Sequence, residues 1–291
     1  MRGRPLDITD EYGVVEGKTV DIFVSRDRIL EDAFSELKEA GDMSFPIEVT
    51  FTGEKALDLG GPRKEFLTSC VHNLNDQFIK DGILITEKDI GKDLFIKYEK
   101  ENAFRTAGLL LGLSLLQGGP VPTLFKNPDV FLSPSNKGEE LFSEGLDKIG
   151  LLQLCSKKKE ILRLFDVNSP KVNILTYSSL IKLFEVNFSE EGSNGRQFEM
   201  AVYRLFLDYV KEVAGIQSLL QFVTGSPEVP ILGYKLPPKI CFCFVDTESI
   251  ISTSSTCSVK LFLPKQTGNK TRDQVFDLFD YAFSNSYFGI V

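Results

Sequence analysis

Ser252-Thr-Ser-Ser-Thr-Cys-Ser-Val-Lys-Leu-Phe-Leu-Pro264 sets one thiol, Cys257, between a run of small hydroxyl side chains and an alternating apolar segment. The hydroxyl run reads as a polar loop, and Val259 to Leu263 reads as a strand ending at Pro264. Cys257 therefore stands at a loop-to-strand junction. Most free cysteines pack as small inert hydrophobes, whereas a thiol on a polar loop is accessible. A thiolate attacks thioesters without a strong base, because the entering and leaving sulfurs have similar pKa values. Thioester exchange is thus chemistry open to this chain.

Upstream, Ile240-Cys-Phe-Cys-Phe-Val245 reads as a second strand rich in aromatic and β-branched residues. Gln197 to Val213 places Phe198, Ala201, Val202, Leu205, Phe206, Tyr209 and Val210 on one side, which predicts an amphipathic helix packed on a sheet. Asp273 to Phe283 predicts a last helix. In the first half, Val20 to Val24 alternates as a strand, followed by a helix over 28–40 with Ser25 or Asp27 as its cap and Gly41 at its end. Ile47, Val49 and Phe51 mark another strand, and Leu57-Asp-Leu-Gly-Gly-Pro62 turns into a helix carrying Arg63, Glu65, Phe66 and Leu67. Asn102 to Leu116 is a helix too apolar to face water, broken by Gln117-Gly-Gly-Pro-Val-Pro122. Pro128 and Pro134 keep the next stretch irregular, and helices resume from Leu141 to Leu164. Asp166-Val-Asn-Ser-Pro170 is the expected interdomain hinge, with Ser189 to Arg196 as the looser alternative. The mixture of strands and helices argues an α+β class.

The 291 residues give enough length for one large domain or two smaller ones. With 33 Lys and Arg against 41 Asp and Glu, the net charge is −8, so no overall attraction to phosphate backbones or anionic membranes exists, and neither nucleic acid nor membrane is expected as a partner. Five cysteines without regular spacing suit a reducing compartment better than a disulfide framework. The longest apolar run, Ala107 to Leu116, is half the length a bilayer needs, and no secretory signal is read at the N-terminus. The expected location is intracellular, cytoplasmic or nuclear, and the sequons Asn187-Phe-Ser189 and Asn269-Lys-Thr271 are read as coincidental.

Several chemistries recede. His72 is the lone histidine and reads as a partly buried structural residue rather than the base of a nucleophile system. Gly13-Val-Val-Glu-Gly17-Lys18-Thr19 has the wrong glycine spacing for a phosphate loop and no preceding strand. Cys241 and Cys243, drawn together with Cys257, lack the second pair or histidine of a metal site, so core packing of their sulfurs is the expectation. No cofactor and no metal are expected.

Thr256-Cys257 followed by Leu261-Phe-Leu-Pro264 resembles the active-site segment of HECT-type ubiquitin ligases. Leu219-Leu-Gln-Phe-Val-Thr-Gly-Ser226, with Val229-Pro230 and Gly233, is similar to the family's signature upstream of its cysteine. Val24-Ser-Arg26 and Ile29-Leu-Glu-Asp-Ala-Phe34 resemble its opening. Val49-Thr-Phe-Thr-Gly-Glu54 and Asp58-Leu-Gly-Gly-Pro-Arg-Lys-Glu-Phe66 resemble its first N-lobe motif, and Ala107-Gly-Leu-Leu-Leu-Gly112 its buried helix. The resemblance runs from about residue 18 to the end, and the compact length resembles a divergent branch that includes a vertebrate ligase linked to the second gap phase of the cell cycle.

The resemblance implies a bilobal α+β fold: residues 1–17 an extension, 18–168 a mostly helical, shortened N-lobe, and 169–291 a mixed C-lobe with the nucleophile. It implies that ubiquitin passes from a ubiquitin-conjugating enzyme to Cys257 as a thioester and then to lysines of protein substrates. Thr256 would position the thioester carbonyl, and Phe288, the fourth residue from the end, would serve the ligation step. Two features depart from the family. Ser255 stands where a histidine is usual, and between Gly119 and Leu141 only a proline-punctuated connection replaces the subdomain that docks the conjugating enzyme. The alternatives to an active transferase are a weak or inactive ubiquitin-binding scaffold and an unrelated thiol enzyme with a small-molecule pocket.

Overall fold

The computed structural model describes residues 18–39, 43, 45–54, 61–169, 175–213, 215–231, 233–234, 236–243, 250–256 and 258–284. The fold is mixed α+β and mostly helical, with a small mixed sheet toward the C-terminus. It divides into two compact units, the break falling between residues 172 and 173, and residues 230 and 231 belong with the first. Outside the described residues lie the phosphate-loop-like stretch at 13–17, the predicted cap glycine at 41, the glycine-rich turn at 57–60, Pro170 of the expected hinge, and Phe244 and Val245 of the predicted strand.

The first unit opens with β1 (Val20–Val24), α1 (Ile29–Glu39) and β2 (Ile47–Phe51), the two strands pairing in parallel from Val20 opposite Ile47 to Val24 opposite Phe51. Alternation buries Ile22, Val24, Ile47, Val49 and Phe51, while α1 buries Ile29, Leu30, Ala33 and Leu37. A single turn 26–28 leads into α1. Ser25 ties the entry: its backbone amide and hydroxyl both donate to Asp32 Oδ2, at 2.8 and 2.5 Å, and hold that carboxyl below its usual range.

The chain continues through α2 (Gly61–Phe78), the hairpin β3 (Ile79–Lys80) and β4 (Ile83–Leu84), α3 (Glu87–Ile90), α4 (Lys92–Lys100) and α5 (Ala103–Leu116). Of the residues from Ala103 to Leu115 only Arg105 is not buried, as the continuous apolar pattern predicts. Beside α5 lies α6 (Lys137–Asp147), followed by α7 (Leu151–Lys157) and a 3-10 turn at Lys159–Leu164. Contacts rise in the same sense along both helices, Phe104 near Gly138, Gly108 at Phe142 and Gly112 at Ile149, so α5 and α6 run roughly parallel. The chain must then return along the length of α5, about 20 Å at 1.5 Å per residue, before α6 can begin. Residues 117–136 make that return as irregular chain with one short 3-10 turn, Pro128–Phe131, and bury Phe125 and Phe131 against Phe142 and Phe165.

The two helices touch through glycine. A Cβ on Gly108 would sit 2.1 Å from the Phe142 carbonyl oxygen, and one on Gly145 would sit 2.0 Å from that of Arg105. Hydrogen at both positions lets the backbones meet.

Arg26, Glu54 and Glu65 come from three separate sequence segments and meet at one ion cluster, with the guanidinium 4.3 Å over the Phe51 ring. Hydrogen bonding to Arg26 holds the Glu54 carboxyl below its usual range. Arg26→Ala is expected to lower stability by about 1–2 kcal/mol, since the cluster is partly solvent-screened. A carboxyl lowered on folding contributes stability above its unfolded pKa and loses it as pH falls through the folded value. The gap between the variant and the wild type in urea unfolding should therefore narrow as pH falls through the lowered folded value, leaving the contact with the Phe51 ring; a gap constant with pH would contradict the assignment.

The second unit contains α8 (Tyr177–Leu183), β5 (Glu185–Val186), α9 (Asn194–Glu212), α10 (Ile216–Thr224), β6 (Lys239–Cys243), β7 (Thr253–Ser255), β8 (Lys260–Pro264) and α11 (Arg272–Ser284). The sheet order is β5-β6-β8-β7; β5, β6 and β8 are parallel and β7 is antiparallel to β8. Ile240, Leu261 and Leu263 pack into one core with Phe206, Tyr209 and Val210 of α9, Leu219, Leu220 and Val223 of α10, and Phe279 and Phe283 of α11. The amphipathic helix predicted over 197–213 does pack on the sheet, beginning three residues earlier, where the Ser193 hydroxyl accepts from the Arg196 amide. Tyr209 of α9 donates its hydroxyl to Asp280 of α11 at 2.5 Å.

Three sequence expectations fail. The hydroxyl run read as a polar loop contains strand β7 at Thr253–Ser255, paired antiparallel to β8. His72 is exposed on α2, 3.5 Å from Asp76 one turn on, because the buried stripe of that helix runs through Phe66, Cys70, Leu74 and Phe78. Cys241 and Cys243 are half-buried rather than packed in the core, since alternation along β6 gives the inner face to Ile240 and Phe242.

Candidate functional site

The segment around residue 257 joins β7 to β8. Pairing runs from Thr253 opposite Phe262 to Ser255 opposite Lys260, so residues 256–259 make the connection. Thr256 and Ser258 lie in turn conformation and both are half-buried. The Ser258 hydroxyl donates to the Ser255 hydroxyl at 2.8 Å, bridging the two ends of the stretch that contains Thr256 and Cys257. Val259 has φ of 51°, a left-handed conformation that costs a β-branched residue energy. Two contacts hold it there: its side chain is buried in the core of the second unit, and its carbonyl accepts from the Lys239 amide at 2.9 Å.

β7 is fixed from behind by α10. Ser254 donates its hydroxyl to the Phe222 carbonyl at 2.5 Å. Leu219, Leu220, Phe222, Val223 and Thr224 are buried, and Gly225, at φ of 78°, closes the helix. The Thr224 hydroxyl donates to the Ser226 carbonyl and accepts from the Ser226 amide. The Leu219 to Ser226 motif is thus a packed helix with a knotted end that braces the strand before residue 256. Ser252, just upstream of β7, is buried and its hydroxyl has no hydrogen-bond partner among the described residues.

Of the three predicted site residues, the structure places Thr256 in this turn; Cys257 and Phe288 lie outside the described residues. The tethers around the turn were missed from sequence. Serines at 254, 255 and 258 read only as polarity, and nothing in the local pattern marks Val259 as left-handed.

Residues 147–283, just under half of the chain, match the family profile described as HECT-domain (ubiquitin-transferase). No curated protein matches the chain. The matched stretch takes in α9, α10, the sheet and nearly all of α11, together with the turn at 256–259. Residues 147–283 are therefore similar to the HECT domain, the domain of the ubiquitin ligase family.

Proposed function

We propose that the chain is a HECT-type ubiquitin-protein transferase in which Cys257 accepts ubiquitin as a thioester and passes it to substrate lysines. The observation that carries this reading is the family match over 147–283, which includes position 257 between two strands whose flanking residues are tethered on both sides. In the first step the Cys257 thiolate attacks the carbonyl carbon of ubiquitin's C-terminal thioester on the conjugating enzyme. A new C–S bond forms, the old one breaks, and the donor thiolate leaves. In the second, a lysine amine attacks the same carbon, the isopeptide bond forms and the Cys257 thiol is released. Thr256 is assigned the positioning of the thioester carbonyl, and Phe288, which lies beyond the matched residues, the ligation step.

The expected hinge at Asp166 to Pro170 would carry the C-lobe between donor and acceptor. Phe165 to Val167 are tied to Phe125 by two backbone hydrogen bonds of 2.8 Å, and the Asn168 and Ser169 amides both donate to Asp166. The lobe assignment, 18–168 and 169–291, and kinship with the compact branch of the family belong to the same proposal.

One observation favours the scaffold reading. Residues 117–136, where the docking subdomain is expected, are a return connection packed into the core of the first unit, leaving no extra helices there to receive a conjugating enzyme. Incubation with a panel of charged conjugating enzymes separates the two. A reducible ubiquitin adduct supports transfer, and none across the panel supports the scaffold. Phe288→Ala is expected to keep the adduct and to slow delivery to lysine at least tenfold, which corresponds to about 1.4 kcal/mol; unchanged delivery would remove Phe288 from the mechanism.

A further inference from the structure

Between Thr253 and Pro264 the chain carries one charged side chain, Lys260. It opens β8 opposite Ser255, the last residue of β7, and the register continues across the sheet from Ser255 to Lys260, Lys239 and Glu185. Paired residues of neighbouring strands share a face, so these four side chains form one row from the β7 edge to the β5 edge. Lys239 is matched by Glu185, 3.7 Å away at the far end of the row. Lys260 is half-buried and has no carboxylate partner among the described residues. The helices α9, α10 and α11 lie on the other face, against Leu261 and Leu263, so the charged groups facing Lys260 are those of its own row. An uncompensated cation thus stands beside Ser255, where the chain turns.

Connectivity brings residue 257 to this end of the row. Two peptide units span at most about 7 Å, so from Ser255 the chain cannot carry residue 257 away from the pair Ser255 and Lys260. A positive charge close to a thiol favours its ionised form, and a lysine ammonium on a flexible four-carbon stem can follow the sulfur.

We propose that Lys260 is the cation that stabilises the Cys257 thiolate, and so acts through the nucleophile as a positioning residue. On ionisation the S–H bond breaks, the sulfur keeps the electron pair and the proton passes to solvent; Lys260 stays protonated throughout. What the thiolate is used for rests on the transferase reading, but its ionisation does not.

The test is the rate of iodoacetamide alkylation of the full, reduced chain across the pH range of thiol ionisation, read by mass spectrometry on the peptide containing residue 257. Wild type is compared with Lys260→Gln, Lys260→Arg and Lys239→Gln, with melting curves to show that each variant is folded. Lys260→Gln is expected to raise the alkylation midpoint by about half a pH unit or more, which cuts the thiolate fraction at neutral pH about threefold. Lys260→Arg keeps the charge and should retain the wild-type midpoint. Lys239→Gln removes a cation that is already paired and should leave the midpoint within about 0.2 units. An unchanged midpoint in Lys260→Gln, a rise as large in Lys260→Arg, or an equal rise in Lys239→Gln would each overturn the proposal. Ubiquitin adduct formation, measured alongside, separates the two claims. An adduct with no effect of Lys260 on the midpoint removes Lys260 and leaves the transferase, whereas an effect of Lys260 without any adduct keeps the ionised thiol and removes the transferase.

Discussion

Gly145→Ala is expected to destabilise the first unit by more than about 3 kcal/mol, at or beyond the upper end of overpacking costs. The added carbon would lie 2.0 Å from the Arg105 carbonyl oxygen and 2.9 Å from the Leu109 amide, and these are backbone atoms of α5 with no rotamer to move into. Nor can α5 retreat, because nearly all of its residues are buried. Gly108→Ala meets α6 reciprocally at Phe142 and is expected to cost as much. The control is Gly138→Ala in the same helix, where the nearest atom would be the Asn136 side chain at 3.3 Å. There the gain in helix propensity offsets a small adjustment, and stability should stay within about 1 kcal/mol of wild type. Urea midpoints measured together decide the matter. A Gly145→Ala midpoint equal to that of wild type would mean that the two backbones do not meet as described.

Glu199→Ala is expected to cost the second unit about 3 to 5 kcal/mol, the range for breaking a buried charge pair by removing one partner. Its side chain is 2% exposed and collects the Ser189 amide at 2.7 Å, the Ser189 hydroxyl at 2.6 Å and the Lys265 ammonium at 3.1 Å. Lys265 follows β8 directly, and its amide donates to the Cys243 carbonyl at 2.8 Å, so one carboxylate ties the end of β8 and the loop after β5 to α9. Burial pushes that carboxyl up, but the Ser189 bonds and Lys265 outweigh it and leave it below the ordinary range. The sign follows: the clasp is complete above the unfolded pKa and is lost as pH falls through the lower folded value. Glu199→Gln should therefore be less stable than wild type at neutral pH and approach it below about pH 4. A neutral-pH loss below about 1 kcal/mol for Glu199→Ala would show that the pair is solvated.

Legibility in the sequence followed the strength of the local pattern. Val20 to Val24, Ile47 to Phe51 and the helix at 103–116 were readable because their side chains alternate or are uniformly apolar. The region between α2 and α5 was not read. Its strands are two residues long, too short for periodicity, although Asp81-Gly82, both with positive φ, carries the turn chemistry of a tight hairpin. Likewise Thr86 and Asp89, which cap α3 reciprocally, are a short-range signal that apolar spacing does not reveal. Cys241 and Cys243 were misplaced because hydrophobic character suggested the core, while the period of the strand had already assigned that side to Ile240 and Phe242. At the candidate site, sequence read a polar loop where Thr253–Ser255 form β7 and began the next strand at Val259, which lies in the turn; the tethers through Ser255, Ser258, Phe222 and Lys239 depend on pairings that only the folded chain brings together.

The most direct measurement mixes the full chain with charged conjugating enzymes and resolves the products with and without reductant, comparing wild type with Cys257→Ala. A ubiquitin adduct that reductant removes and that vanishes in Cys257→Ala is the predicted result. An adduct that persists in Cys257→Ala, or none with any conjugating enzyme, would contradict the assignment of Cys257 as acceptor.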